Sequence, residues 1–129
     1  MKFKIEKELN LEDVFVTAIE GGSNYWYWMG KEAVLAVRSA VPKSEDSCFS
    51  TALYKAVVDH GVKVPVHDAE DPEEELGVLD ASLFQERLSK LYEDESYAWA
   101  VDEQMNDGGD ANTADVIFQY ILFGEVIYG

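Results

Sequence analysis

Hydrophobic positions along this chain follow two periods, and the places where one gives way to the other outline a fold. From Lys2 to Glu8, Phe3 and Ile5 alternate with lysines and glutamates, the pattern of a strand with one wet face. The period then lengthens. Leu11, Val14, Phe15, Ala18 and Ile19 fall at i, i+3, i+4, i+7 and i+8, an amphipathic helical stripe. Asn10 is placed to N-cap that helix, and Glu12 and Asp13 favour its first turn by their charge. Gly21 and Gly22 predict its stop, because glycine takes the left-handed C′ conformation cheaply. KEAVLAVRSAV (31–41) fits either period: its alanines and Glu32 favour helix, while Val34, Val37 and Val41 suit a strand, and Pro42 closes it either way. A second helix is predicted over about 46–60, burying Phe49, Ala52, Leu53, Ala56 and Val57 and stopping at Gly61.

Period two returns at Val62, Val64 and Val66, with Pro65 pointing to a sheet edge. HDAEDPEEE (67–75) reads as a solvated acidic loop, and LGVLD (76–80) as a short strand whose Asp80 caps a third helix. That helix turns Leu83, Phe84, Leu88, Leu91 and Tyr92 inward and keeps Glu86 and Lys90 outside as an i, i+4 pair. SYAWAVDEQM (96–105) continues or restarts it. NDGGDANTAD (106–115) is a turn, with Asp110 or Asn112 as the cap of the last helix. In TADVIFQYILF (113–123) only Asp115 and Gln119, four apart, interrupt an apolar circumference, which predicts a buried central helix. Gly124 ends it, and EVIYG (125–129) reads as a terminal strand. The order of elements predicts one α+β domain over 1–129: a small, mostly antiparallel sheet packed against about four helices, the last of them at its centre.

Composition supports a packed core, since 47% of the 129 residues are hydrophobic, too many for a disordered chain. The first ten residues contain no apolar h-region, and no apolar run approaches the ~18 residues of a membrane span. Cys48 is the single cysteine, which cannot staple the fold and points to a reducing compartment. A soluble, cytoplasmic protein is expected. Charge changes the picture more. Residues 1–63 carry eight basic and nine acidic side chains, whereas residues 64–129 carry two basic ones (Arg87, Lys90) and seventeen acidic, a net of −15. Phosphates would be repelled, so nucleic acid and anionic membranes are poor direct partners. A basic protein surface, a divalent cation or plain solubility fits better.

Catalytic and metal motifs are scarce. His60 and His67 with one cysteine cannot supply a four-ligand zinc site. Cys48 has no base: His60 lies twelve positions along the same predicted helix, roughly 120° round the axis and about 18 Å away. Cys48 therefore reads as core or as the start of that helix. Nucleophile elbows, phosphate loops and dinucleotide fingerprints are absent. Aligning Gly108 to position 6 of an EF-hand loop puts Met105 at position 3 and Ala114 at position 12, where ligands are required, so that motif fails. A weak cation site from Asp107, Asp110 and Asp115 is the remaining metal option. No cofactor is implied.

Two surfaces remain as candidates. Glu86, Glu93, Asp94, Glu95, Asp102 and Glu103 would present carboxylates at a spacing not far from that of successive phosphates, as a nucleic-acid mimic facing a basic partner would. The other is GGSNYWYWMG (21–30). In a strand, Tyr25 and Tyr27 face one way and Trp26 and Trp28 the other, so the segment is expected to be sandwiched, with the tryptophans under helices and the tyrosine hydroxyls on polar partners. Its functional alternative makes Trp26 and Trp28 an anchor for a protein partner.

AIEGGSNYWYW (18–28) and DANTADVIFQYILFGEVIYG (110–129) resemble a group of small proteins of bacterial prophages and mobile elements that share GG-x-NYW and D-A-x-TAD…Q…LFGE. The resemblance carries over no catalytic or binding residue. It implies a setting in which inhibitors and host-directed binders are common. The leading expectation is a non-enzymatic inhibitor or modulator of a basic, nucleic-acid-handling protein. The alternatives are a toxin-immunity protein with one cognate nuclease, and a small ligand-binding domain or enzyme using segment 25–28 with His60 or His67.

Overall fold

The computed structural model describes the backbone of residues 2–4 and 8–129 and the side chains of residues 9–106 and 108–129. The fold is α+β. Two short strands, β1 (Lys2–Lys4) and β2 (Glu8–Asn10), pair antiparallel with Phe3 opposite Leu9. One strand was expected over these residues; the sides taken by Phe3 and Ile5 lie outside the described side chains. Asn10 then caps α1 (Leu11–Thr17), its Oδ1 accepting the Asp13 N–H at 3.2 Å. All five residues of the predicted stripe are buried.

α1 does not stop at a left-handed glycine. It widens into a π turn over Ala18–Gly22, and neither Gly21 nor Gly22 has positive φ. Gly22 serves a close approach instead: a Cβ there would stand 2.5 Å from the Ala111 carbonyl oxygen. Gly22 thus lets the end of α1 touch the start of the last helix. Gly61 (φ 67°) and Gly124 (φ 78°) do take the left-handed conformation expected of helix-ending glycines.

β3 (Tyr27–Trp28) leads into α2 (Lys31–Ala40), so the ambiguous segment is helical, burying Ala33 and Val37. α3 (Phe49–Tyr54) begins later than position 46, because Asp46 makes its own turn: Oδ1 accepts the Cys48 N–H and Oδ2 the Thr51 hydroxyl. Cys48 is exposed at the N-cap and is not core. α3 also widens into a π turn, Lys55–Asp59. β4 (Val64–Asp68) is the middle strand of the antiparallel sheet β3–β4–β5, with β5 at Glu75–Leu79. Pro65 tolerates a central strand because β3 reaches only His67 and Asp68; at Pro65 the strand has β5 on one side and is locally an edge.

Asp80 accepts the N–H and hydroxyl of Ser82, starting a 3₁₀ turn (Ala81–Leu83) that opens α4 (Phe84–Glu93). Leu88 and Leu91 are buried, Leu83 only half, and Tyr92, expected inside, is exposed. At 100° per residue Tyr92 sits roughly 75° off the mean direction of Phe84, Leu88 and Leu91, on the flank of the stripe. α5 (Ala98–Asp107) restarts after a turn, and Asp110 caps α6 (Ala111–Phe123). Residues 113–122 of α6 are all buried, in contact with α1, α4, α5 and β5. Phe15 is the hub of the core, its ring 5.5 Å from Tyr54, 6.2 Å from Phe84 and 5.7 Å from Phe118. Four helices are thereby joined through one side chain.

The C-terminal EVIYG is not a strand. Gln119 takes its backbone instead: Oε1 accepts the N–H groups of Ile127 and Tyr128, and Nε2 donates to the Tyr128 carbonyl. One buried amide does what a neighbouring strand would otherwise do.

A candidate binding cleft between the aromatic segment and the last helix

Residues 23–26 form a turn, with Trp26 and Tyr27 N–H both donating to the Ser23 carbonyl, and only Tyr27 and Trp28 are strand. The predicted two-faced strand is therefore half right. Trp26 is 2% exposed, but Trp28, expected under a helix, is 49% exposed. Among the described residues β3 pairs along one edge only, and Trp28 lies in a shallow groove of about 340 Å³ beside Val34 and Phe49. The tyrosine hydroxyls do reach polar partners: Tyr27 donates to the Ile19 carbonyl at 2.8 Å and Tyr25 to Asp115 Oδ2 at 2.6 Å.

Asp115 organises the segment. Its Oδ1 also accepts the Ser23 hydroxyl and the Trp26 indole N–H, each at 2.8 Å. A carboxylate buried in an apolar helix must be hydrogen-bonded to stay there, and three donors from one short loop do this. Asp115 and Gln119 are four apart and share a face of α6. Asp115 holds the aromatic loop and Gln119 the C-terminal tail, and the Trp26 and Tyr128 rings stack at 5.1 Å to close the arrangement. The two segments at opposite ends of the sequence thus form one spatial unit. Tyr25 is half-exposed, yet its partial burial, with Asp115 adjoining, pushes its pKa up to about 12.

Above this unit lies an open cleft of about 580 Å³ with Tyr25, Tyr97, Trp99, Ile127 and Tyr128 in its walls and Asp115 below. A smaller hollow of about 260 Å³ shares Tyr25 and Tyr128 and is completed by Trp26, Asp68 and Glu70. Neither concavity is lined by His60 or His67. His60 is exposed at the end of the α3 π turn, and His67 Nδ1 lies 2.7 Å from the Pro72 carbonyl oxygen. The Cys48 thiol is held below its usual range, first by Ser50, with the two side chains 3.2 Å apart.

The predicted carboxylate surface divides in two. Glu86, Glu93, Glu95 and Asp102 are exposed on α4, α5 and the turn between them. Asp94 and Glu103 are engaged internally. Asp94 accepts the Tyr120 hydroxyl and the Ser96 N–H, and the Tyr120 bond holds its carboxyl below the usual range. Glu103 accepts the Thr113 hydroxyl at 3.0 Å. Of the three carboxylates named for a cation, Asp110 caps α6 through Thr113, Asp115 is engaged as described, and the Asp107 side chain is outside the described residues. Among the described residues no three His, Cys, Asp or Glu side chains are grouped to hold a metal ion, and no helix is long and apolar enough to cross a membrane.

Pattern reading missed the Asp115 cluster, although its signal was present. A lone carboxylate in an apolar helix needs donors, and Ser23–Trp26 is a segment rich in hydroxyl and indole donors with no acid of its own. No family model matches the chain, and neither curated proteins nor solved structures return a match.

Proposed function

We propose that this chain is an acidic, non-enzymatic interaction protein that binds a basic partner protein and modulates it, the partner itself being one that handles nucleic acid. The observation that carries this is the uncompensated charge of the second half. Of its two basic residues, Arg87 points inward and donates to the carbonyls of Ile121 and Leu122 at the end of α6. Only Lys90 remains exposed against seventeen acidic residues, and from the first half Lys63 reaches one of them, Asp80, at 3.8 Å. Such a surface steers basic partners electrostatically and weakens with salt. The setting implied by the two end motifs, accessory proteins of bacterial mobile elements, agrees with an inhibitor or modulator.

The test uses Glu86, Glu93, Glu95 and Asp102 changed to their amides, leaving Asp94 and Glu103 intact because the fold uses them. A tagged chain is passed over bacterial lysate at low salt, and bound proteins are eluted by a salt gradient and identified. A basic protein that elutes as salt rises, and elutes earlier from the amide variant, supports the proposal; no basic protein retained at low salt refutes it. The cleft of about 580 Å³ favours one second reading, a small ligand-binding domain, since it falls in the size range of ligand pockets. A thermal-shift screen that raises the melting temperature of the wild type, but not of Trp99→Ala, would support that reading.

A further inference from the structure

Three aromatic rings and two carboxylates line the smaller hollow, with no base among them. Its construction is specific. The loop after β4 is tied to the aromatic segment by the Ala69 N–H donating to the Trp26 carbonyl at 2.9 Å. Asp68 is held at the rim, its Oδ1 accepting the Glu70 N–H at 2.8 Å. Tyr128 is fixed by its stack on Trp26 and by Gln119 gripping its backbone. Tyr25 is fixed by Asp115. The Tyr128 hydroxyl is raised above its usual pKa by burial and then by the charges of Asp68, Glu74 and Glu70, so these carboxylates act on the same point.

We infer that this hollow seats an arginine side chain of the basic partner, its guanidinium against the Tyr25 and Tyr128 rings and paired with Asp68 and Glu70. The inference rests on the proposed function and adds the place and chemistry of contact. Three considerations select the occupant. Aromatic faces and carboxylates both attract cations and repel anions. A hollow of about 260 Å³ is smaller than the ~300–1,000 Å³ of small-molecule pockets and suits the head of one side chain. A planar guanidinium stacks on rings and pairs with carboxylates at the same time, which a lysine ammonium does less well.

The experiment titrates the protein with a capped peptide containing one arginine, and with its lysine and citrulline counterparts, followed by amide NMR shifts at low salt. Asp68→Asn/Glu70→Gln removes two charges while the asparagine keeps an oxygen for the Glu70 N–H. Glu93→Gln/Glu95→Gln removes two charges elsewhere. Expected are shifts at 25, 68–70 and 128, with arginine binding more tightly than lysine and citrulline near background. Affinity for the arginine peptide should fall about fivefold in the first variant and under about twofold in the second. Equal shifts from citrulline, shifts centred on α4–α5, no shifts at all, or equal losses in the two variants would each overturn the inference. A captured basic partner that binds Asp68→Asn/Glu70→Gln as tightly as wild type overturns the seat and leaves the proposed function standing. The absence of any basic partner removes the proposed function itself.

Discussion

Replacing Asp115 by alanine removes the acceptor that three side chains share, and the cost can be worked from who is left behind. The Ser23 hydroxyl and Trp26 indole N–H are buried and would lose their partner, while the Tyr25 hydroxyl lies close enough to solvent to find water. Each orphaned buried donor costs about 1–3 kcal/mol, so two cost about 2–6 kcal/mol. Relief of one buried charge in a chain of net charge −16 offsets part of this, leaving about 3 kcal/mol. Against a total stability of about 5–15 kcal/mol, that is a large fraction. Asp115→Asn keeps the volume and one acceptor oxygen and should lose about half as much. Tyr25→Phe removes the one partner that water can replace and should cost about 1 kcal/mol. The assay is urea unfolding followed by tryptophan fluorescence, which Trp26 reports directly. Asp115→Ala within about 0.5 kcal/mol of wild type, or Tyr25→Phe costing more than Asp115→Ala, would refute the account of the cluster.

Gly22→Ala places a methyl 2.5 Å from the Ala111 carbonyl oxygen and should cost about 2–3 kcal/mol in the same assay, whereas Gly21→Ala, with nothing within 4 Å, should be near neutral or slightly stabilising. Gln119→Leu leaves the N–H groups of Ile127 and Tyr128 without their acceptor; their amide exchange should accelerate more than that of α6, with about 2 kcal/mol lost overall. Alkaline pH should destabilise the fold in a defined window. Tyr25 and Tyr120 are raised to about 12, each chiefly by burial and then by an adjacent carboxylate, so the stability they contribute is fully present below pH ~10 and is lost as pH rises through about 12. Phenolate absorbance and unfolding midpoints measured together check this, and Tyr25→Phe should shrink the effect.

Much of the fold was legible because apolar spacing is set locally. The α1 stripe, the α3 face apart from the half-buried Phe49, and the buried α6 follow from period alone; the caps at Asn10 and Asp80 follow from residue type, which left Asp110 and Asn112 as alternatives for the cap of α6. What was not legible depended on contacts between distant segments. Gly22 is needed because Ala111 comes close from 89 positions away, and no local signal distinguishes that role from a left-handed helix stop. EVIYG has the composition of a strand, but Gln119 meets its backbone first. Trp28 and Tyr92 lie at the margins of elements, where periodicity says least about burial. For the candidate site, the aromatic segment was visible in the sequence but its partner was not: Asp115 first looked like a cation ligand and proves to be the acceptor for Ser23, Tyr25 and Trp26. Asp94 and Glu103, counted among surface acids, are engaged by Tyr120 and Thr113.

The central claim, that an uncompensated acidic surface binds a basic protein, is tested most directly by the salt dependence of that binding. The captured partner would be titrated against wild type and against the Glu86→Gln/Glu93→Gln/Glu95→Gln/Asp102→Asn variant between about 50 and 500 mM salt. The account predicts a dissociation constant that rises steeply with salt for the wild type, with weaker binding and a shallower slope for the variant. Affinity that is independent of salt, or equal for the two proteins throughout, would contradict it.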